Sequence, residues 1–253
     1  MQLPLFGFVT LHRDPLRDGT HCEAEWMEGC AASGRAVAHL WHAPAGFVVP
    51  RRYTALPGWK SLPSHLAAAV HVRASGGGLV PQGPGVWNLS LIWPAGSATP
   101  NDTGAIYAAF CDALAAAFAR LGIHAAPQAV EGSFCDGRYN LAVQGRKLVG
   151  TAQAWRRVNG RPVVLAHAVI VVNADPEEIT ARANDFERAL CTTTRYRADS
   201  LTSVAREARA DAREPPDLER WVIAVLAEQF ARMVPPRSLA QTIAGPGDVG
   251  PSV

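Results

Sequence analysis

Apolar residues recur at helical spacing in several stretches and alternate, or run together, between them. From Asp102 or Thr103 to Leu121 the stripe Ile106, Phe110, Ala113, Leu114, Ala117 and Leu121 predicts a helix. A capping carboxylate or hydroxyl opens it and Gly122 ends it. His21 to Ala32 predicts a second helix, with Cys22, Trp26 and Cys30 on one stripe and a stop near Gly34. Pro176 opens a third, to about residue 190, and Pro216 to Met233 forms a fourth around Leu218, Val222, Val225, Leu226 and Phe230. Val37–Trp41 and Gly46–Val49 read as short strands on either side of an Ala43-Pro44 turn, and Val86–Trp93 alternates as another. Residues 1–20 read as an irregular arm, 191–216 as irregular or partly helical, and the Gly- and Pro-rich tail from Pro235 as disordered.

The densest strand pattern runs from Arg138 to Asp175. Two polar breaks, Gln144-Gly145 and Asn159-Gly160, separate apolar runs, and Asn-Gly in that setting is a strong hairpin signal. The stretch predicts a three-stranded antiparallel meander. Its middle strand carries Lys147, one of two lysines in a chain whose other cations are arginines. An ammonium is a compact point charge that can approach a single oxygen, which the planar guanidinium does poorly. An exposed strand lysine is the alternative.

Composition narrows the class. The 253 residues are 48% hydrophobic and 18% charged, as in a soluble globular protein, and the net charge of +2 gives no field suited to nucleic acid. The longest apolar run, Val163 to Val172, is interrupted by His167 and too short to span a bilayer. The start has no basic stretch ahead of its apolar residues, so a secretory signal is not expected, and five scattered cysteines (22, 30, 111, 135 and 191) form no CxxC pair. A cytoplasmic protein with neither disulfides nor a metal site is expected. Cys22, Cys30 and Cys111 read as core filler. The loop Pro50–Pro63, with Arg51, Arg52, Trp59 and Lys60, borders a site or is ordinary solvated surface. Gly76-Gly77-Gly78 follow Arg73 and precede a strand; three glycines permit positive φ and a close ligand approach, or simply a flexible turn.

With those residues in place, the pattern resembles the biotin/lipoate protein ligase superfamily, most closely its lipoate-protein ligase and octanoyltransferase branch. The carrying elements are Arg73-Ala74-Ser75-Gly76-Gly77-Gly78 followed by Asn88, Gly137-Arg138-Tyr139-Asn140-Leu141, and Gly145-Arg146-Lys147-Leu148-Val149-Gly150-Thr151-Ala152-Gln153, with His167 and Asn173-Ala174-Asp175 beyond. The resemblance covers residues 20–200 and takes Leu40 to Val49 as the family's first hairpin. It implies an α/β (α+β) fold, a mainly antiparallel sheet flanked by helices. Residues 1–200 would be the catalytic domain, 201–234 a helical extension and 235–253 a tail.

It also implies roles. Lys147 would meet the acyl carbonyl and, in a ligase, the phosphate of an acyl-adenylate, stabilising charge that develops in transfer. Arg73 would meet phosphate or the acyl head. Ser75, Gly76, Gly77 and Gly78 would line the acyl chain, and Asn88 and Ala152 would belong to the acyl or nucleotide site. Asn140 would lie near a nucleotide, and Gly150 and Thr151 would keep the wall beside the lysine thin. His167 is a packed strand residue or a participant. Cys135, in a Gly-flanked loop before Lys147, is the candidate thioester nucleophile or a pocket-lining residue; a nearby ammonium favours a thiolate and a neighbouring carboxylate, Asp136, opposes it.

The sequence departs from the family pattern at Ala74, where a second arginine is common, at Gln82, where a histidine is common, and in lacking the accessory domain of longer ligases. The implied activity is attachment of lipoate or octanoate to a lysine of a carrier domain of the dehydrogenase E2 or glycine cleavage H type. A ligase would use ATP and Mg²⁺; a transferase would use Cys135 and an acyl donor such as an acyl carrier protein. A catalytically reduced binding protein is the third reading.

Overall fold

The structure, a computed structural model, describes residues 3–4, 6–7, 9–73, 76–96, 102–210 and 217–231. In chain order the elements begin with β1 (Val9–Leu11), α1 (Gly19–Ser33), β2 (Val37–His42), β3 (Gly46–Pro50), α2 (Ser64–Ala67), β4 (Val70–Arg73), β5 (Val80–Gln82) and β6 (Val86–Pro94). Then follow α3 (Thr103–Ala119), β7 (Ala126–Pro127), β8 (Leu141–Val143), β9 (Arg146–Val158), β10 (Arg161–Val171), α4 (Pro176–Ala189), α5 (Val204–Ala210) and α6 (Leu218–Phe230). A seven-stranded sheet has the order β1-β2-β6-β10-β9-β8-β7, and a three-stranded sheet the order β4-β3-β5. Only β1 joins the large sheet in parallel. The expected class, a mainly antiparallel sheet flanked by helices, is the one observed.

The meander forms where the dipeptides placed it. Gln144 and Gly145 have φ of 50° and 78°, Asn159 and Gly160 of 49° and 79°. Two successive positive φ values define the turn whose twist matches paired strands. β9 and β10 then pair without a slip from Val158↔Arg161 to Val149↔Ile170.

Several expectations change. Val9–Leu11 within the predicted arm is a strand paired with β2. α1 starts at Gly19, where Asp18 accepts from the His21 amide, and buries Met27, Cys30 and Ala31 while Cys22 and Trp26 stay half-buried. β2 and β3 are not a hairpin: β2 pairs with β6, whereas β3 turns away to pair with β4 and β5. Gly46 permits the departure, because a Cβ there would lie 2.3 Å from the Ala69 carbonyl oxygen. The alternation read in β6 does not correspond to one wet face; Val86 to Trp93 are all buried. The sheet is covered on both sides, so a polar position in the strand is a functional or networked one rather than a solvent-facing one.

The larger core lies between the sheet and α3, α5 and α6, with Phe110 edge-on to Phe230 at 6.0 Å. A second core joins β3, the start of β6 and α4, with Phe47 stacked on Phe186 at 4.5 Å. α1 closes over the other face of the sheet on Ile92, Val163 and Leu165. The predicted tail from Pro235 lies outside the described residues.

Candidate active site

Between α1 and the sheet lies a cavity of about 730 Å³. Its lining includes Arg73, Gly76, Asn88, Cys135, Asn140, Lys147, Gly150, Thr151, Ala152 and His167, so most of the sequence candidates converge on one space. Gly77 and Gly78 stand just behind its wall and Ser75 lies outside the described residues.

Lys147 is buried, 6% exposed, and its ammonium donates to the carbonyl of Phe134 and, at 3.1 Å, to that of Cys135. Burial lowers its pKa to about 8, with Cys135 and Asp136 opposing the shift. Gly150 makes room for the amine: a Cβ there would sit 3.1 Å from both Lys147 Cε and Nζ. The predicted thin wall is therefore a packing requirement of the lysine itself. Asn140 donates through Nδ2 to the Cys135 carbonyl at 3.0 Å, and Thr151 Oγ1 donates to the Tyr139 carbonyl at 2.6 Å. The first braces the 134–140 loop across itself and the second holds it against β9.

Cys135 has φ of 49°, a left-handed conformation that non-glycine residues seldom adopt, in a loop braced by those bonds. The glycine turn packs directly on it. A Cβ on Gly77, itself at φ 97°, would come within 2.9 Å of both Cys135 Sγ and an Arg73 guanidinium nitrogen. Arg73 in turn donates to the carbonyls of Val48, Gly76 and Gly78 at 2.6 to 3.2 Å. Its guanidinium is a clamp for the turn, with those backbone oxygens where the resemblance implied phosphate or acyl head. Asn88 and Gln82, both buried, close on each other in a reciprocal amide pair at 2.9 and 3.2 Å.

The family model for the lipoyl protein ligase A/B catalytic domain matches residues 30–229. The chain belongs to that family. An uncharacterized protein of Cupriavidus necator is 41% identical over 236 residues, covering 87% of this chain and 91% of the relative. An octanoyl-[GcvH]:protein N-octanoyltransferase of Kyrpidia tusciae is 38% identical over 141 residues, 53% of this chain and 48% of the relative. The chain thus spans about half the length of that octanoyltransferase. Among solved structures, a lipoate-protein ligase A bound with ATP superposes with a TM-score of 0.63 at 16% identity, over 89% of this chain and 84% of the other; this likeness is one of fold.

This lipoyl ligase-family cavity also holds polar residues that sequence patterns did not single out. Glu23 of α1 reaches the sheet, its carboxylate 2.5 Å from His167 Nδ1 and accepting from Ser90 Oγ at 2.7 Å. Trp41 Nε1 donates to Ser90 Oγ at 2.9 Å. Burial raises the Glu23 pKa, but His167, Ser90 and Arg156 outweigh it and the net shift is downward. His167 is therefore a networked cavity residue rather than an apolar strand filler. The available signal was Glu23 itself, four residues before Met27 and so on the buried face of α1. Behind the cavity, the fully buried Glu187 accepts from Tyr53, Tyr196 and Thr192 at 2.6 to 2.8 Å, and Tyr196 packs on Phe134 at 4.6 Å. Among the described residues no three His, Cys, Asp or Glu side chains gather as a metal site, and no helix is long and apolar enough to cross a membrane.

Proposed function

We propose that this protein transfers an octanoyl or lipoyl group to a lysine of a carrier domain through a thioester on Cys135, without ATP. One observation carries the reading: the Lys147 ammonium is fastened to the carbonyls of Phe134 and Cys135, which sets cation and thiol residue at the same end of the cavity. The Kyrpidia tusciae relative, named an octanoyl-[GcvH]:protein N-octanoyltransferase, supports it.

Cys135 Sγ attacks the donor's acyl carbonyl; the acyl–nitrogen or acyl–sulfur bond breaks and the thiol proton leaves with the departing amine or thiol. The acceptor's lysine amine then attacks the thioester, forming the amide and returning a proton to Cys135. In both steps negative charge grows on the carbonyl oxygen. Lys147, held in a water-poor site, stabilises it there. The Gly150–Ala152–Ala154 side of β9 bears no bulk and leaves the acyl chain its path. The carrier is of the GcvH or E2 lipoyl-domain kind, and the protein's place is the cytoplasm.

A lipoate ligase is the second reading, favoured by the ATP-bound ligase of the same fold. The site residues suit ATP less well. Arg73 is committed to three backbone carbonyls, and the sequence has alanine at position 74, where the family resemblance has a second arginine. Intact-mass measurement after incubation with an octanoyl-carrier donor tests the first reading: one octanoyl adduct, released by hydroxylamine and missing in Cys135→Ala. Lipoate-dependent exchange of pyrophosphate into ATP, with no adduct, would establish the ligase instead.

A further inference from the structure

The segment between α4 and α5 forms no strand of either sheet, yet it runs beside the loop and the strand that hold Lys147. Its Arg197 amide donates to the Gly132 carbonyl at 2.9 Å, and Ser200 Oγ and an Arg197 guanidinium nitrogen donate to the Glu131 carbonyl at 2.8 and 3.1 Å. The Thr202 amide donates to the carbonyl of Lys147 itself at 2.9 Å. Contact with the loop is close enough to require a glycine. At Gly132, with φ of 80°, a Cβ would lie 3.0 Å from both Arg197 Nε and Ser200 Oγ. Further in, the Tyr196 ring meets the Phe134 ring at 4.6 Å and 60°. α4 fixes Tyr196 at both ends. Asn184 closes on its main chain, accepting from the amide at 2.8 Å and donating to the carbonyl at 3.0 Å, and the buried Glu187 accepts from its hydroxyl at 2.8 Å. Neither Tyr196 nor Glu187 lines the cavity.

What this bracing secures is one peptide unit. The Phe134 carbonyl receives the Lys147 ammonium, and the rotations on either side of the 134–135 peptide set its direction. Cys135 stands at φ 49°, a conformation that costs about 1–3 kcal/mol and persists only where the surroundings over-determine it. Main-chain bonds fix residues 131 and 132, and Asn140 fixes the Cys135 carbonyl at 3.0 Å. Between those anchors Phe134 is held by its ring. We propose that Tyr196 is a positioning residue for Lys147: its ring, locked by Glu187 and Asn184, holds Phe134 so that the 134 carbonyl stays aimed at the ammonium. Without that ring the peptide swings toward an unstrained conformation and the ammonium loses its acceptor. The cation then drifts from the point where negative charge grows on the acyl oxygen. Only this last step rests on the transferase reading above; the placement of Lys147 does not.

The chain has two lysines, Lys147 and the exposed Lys60, so acetylation by an N-hydroxysuccinimide ester can be followed at each by peptide mass, with Lys60 as internal reference. Measured on the full chain at neutral pH, the ratio of Lys147 to Lys60 labelling should rise about tenfold in Tyr196→Leu and stay within about twofold in Tyr196→Phe. Tyr196→Phe keeps the ring and gives up the bond to Glu187, so it separates position from stability. Acylation of Cys135 by a small octanoyl thioester, run well below each melting temperature, should follow the labelling. Tyr196→Leu should be about tenfold slower at saturation with an unchanged half-saturating concentration, and Tyr196→Phe near wild type. In a Lys147→Met background Tyr196→Leu should add less than about twofold, because a residue that acts through the cation has nothing left to position. Phe134→Leu removes the same contact from the other side and should expose Lys147 equally, so it decides the matter if Tyr196→Leu fails to fold. Wild-type protection of Lys147 in a folded Tyr196→Leu, or in Phe134→Leu, overturns the proposal. So do equal losses in Tyr196→Phe and Tyr196→Leu, or the full loss persisting in the Lys147→Met background. If the wild-type protein takes no octanoyl group from the thioester, the transferase reading fails, and the labelling ratios still decide what holds Lys147.

Discussion

Raising the pH should stabilise this protein through Lys147. Its ammonium is buried, and its pKa falls from 10.5 to about 8 because burial withdraws water from the charge, more than Cys135 and Asp136 restore. The folded protein thus gives up this proton near pH 8 and the unfolded chain near 10.5. Below pH 8 both states carry it and the whole penalty for burying charge is present. Between 8 and 10.5 the unfolded state binds more protons, so stability rises with pH, and above 10.5 the penalty is gone. A gap of that width is worth about 3 kcal/mol at roughly 1.4 kcal/mol per pH unit. Lys147→Met removes the titration and also takes its donor from the Phe134 carbonyl, a loss of about 1–3 kcal/mol, while the Cys135 carbonyl keeps Asn140 and the Gly137 amide. Absolute stability at neutral pH can therefore move either way, and the slope is the diagnostic. Urea unfolding of both proteins across this pH range should show the wild type gaining about 3 kcal/mol on the variant. Other titrating groups cancel in that difference. A flat difference, or one that falls with pH, would refute a buried ammonium at this position.

Gly150→Val should lower acyl transfer by about a hundredfold, because displacing a fixed cation by less than an ångström forfeits much of its effect. Thermal unfolding should change little, since a β-branched residue suits a strand; full activity would show that Lys147 does not need the space. Glu187→Leu strands the buried hydroxyls of Tyr53 and Tyr196 and the half-buried one of Thr192, and should cost about 3–5 kcal/mol in a urea melt, whereas Glu187→Gln should cost less than half of that. Equal losses would mean that the carboxylate acts only by its volume. Cys135→Ala should keep the wild-type melting temperature within a few degrees while abolishing transfer from an octanoylated carrier, measured by gel shift of the acceptor. Retained transfer would assign the chemistry to another group.

How much of this was legible in the sequence depended on whether the determinant is local. The meander was, because Gln144-Gly145 and Asn159-Gly160 specify their own positive φ and hence the register of the strands beside them. The helix at Thr103–Ala119 was, because its stripe and its Asp102 cap lie within one segment. Lys147 stood out through rarity, and its buried position bears on that reading directly. β2 and β3 were misjudged as a hairpin because their partners, β6 on one side and β4 and β5 on the other, lie far along the chain. The stripe of α1 was misplaced for a related reason. Cys22 and Trp26 looked like core residues, yet the sheet receives Met27 and Cys30, and Trp26 lies flat against His39 at 3.8 Å instead.

Gln82 shows how a departure from a family pattern can be read physically. Taken alone, an amide where the family has an imidazole suggested a weakened site. In the fold, Gln82 and Asn88 satisfy each other's side chains within the cavity wall, and Arg182 donates to the Gln82 carbonyl at 3.2 Å. An amide pair of this kind is neutral and carries no titratable proton, while Lys147 and the Arg73 clamp keep their positions independently of it. The pair adds no charge to a cavity whose ionisable groups include Lys147 and Arg73 near Cys135 and Glu23, His167 and Arg156 below α1. Placing histidine at Gln82 should therefore leave Cys135 acylation within about twofold of wild type, and a larger loss would show that the amide pair supports the reacting end.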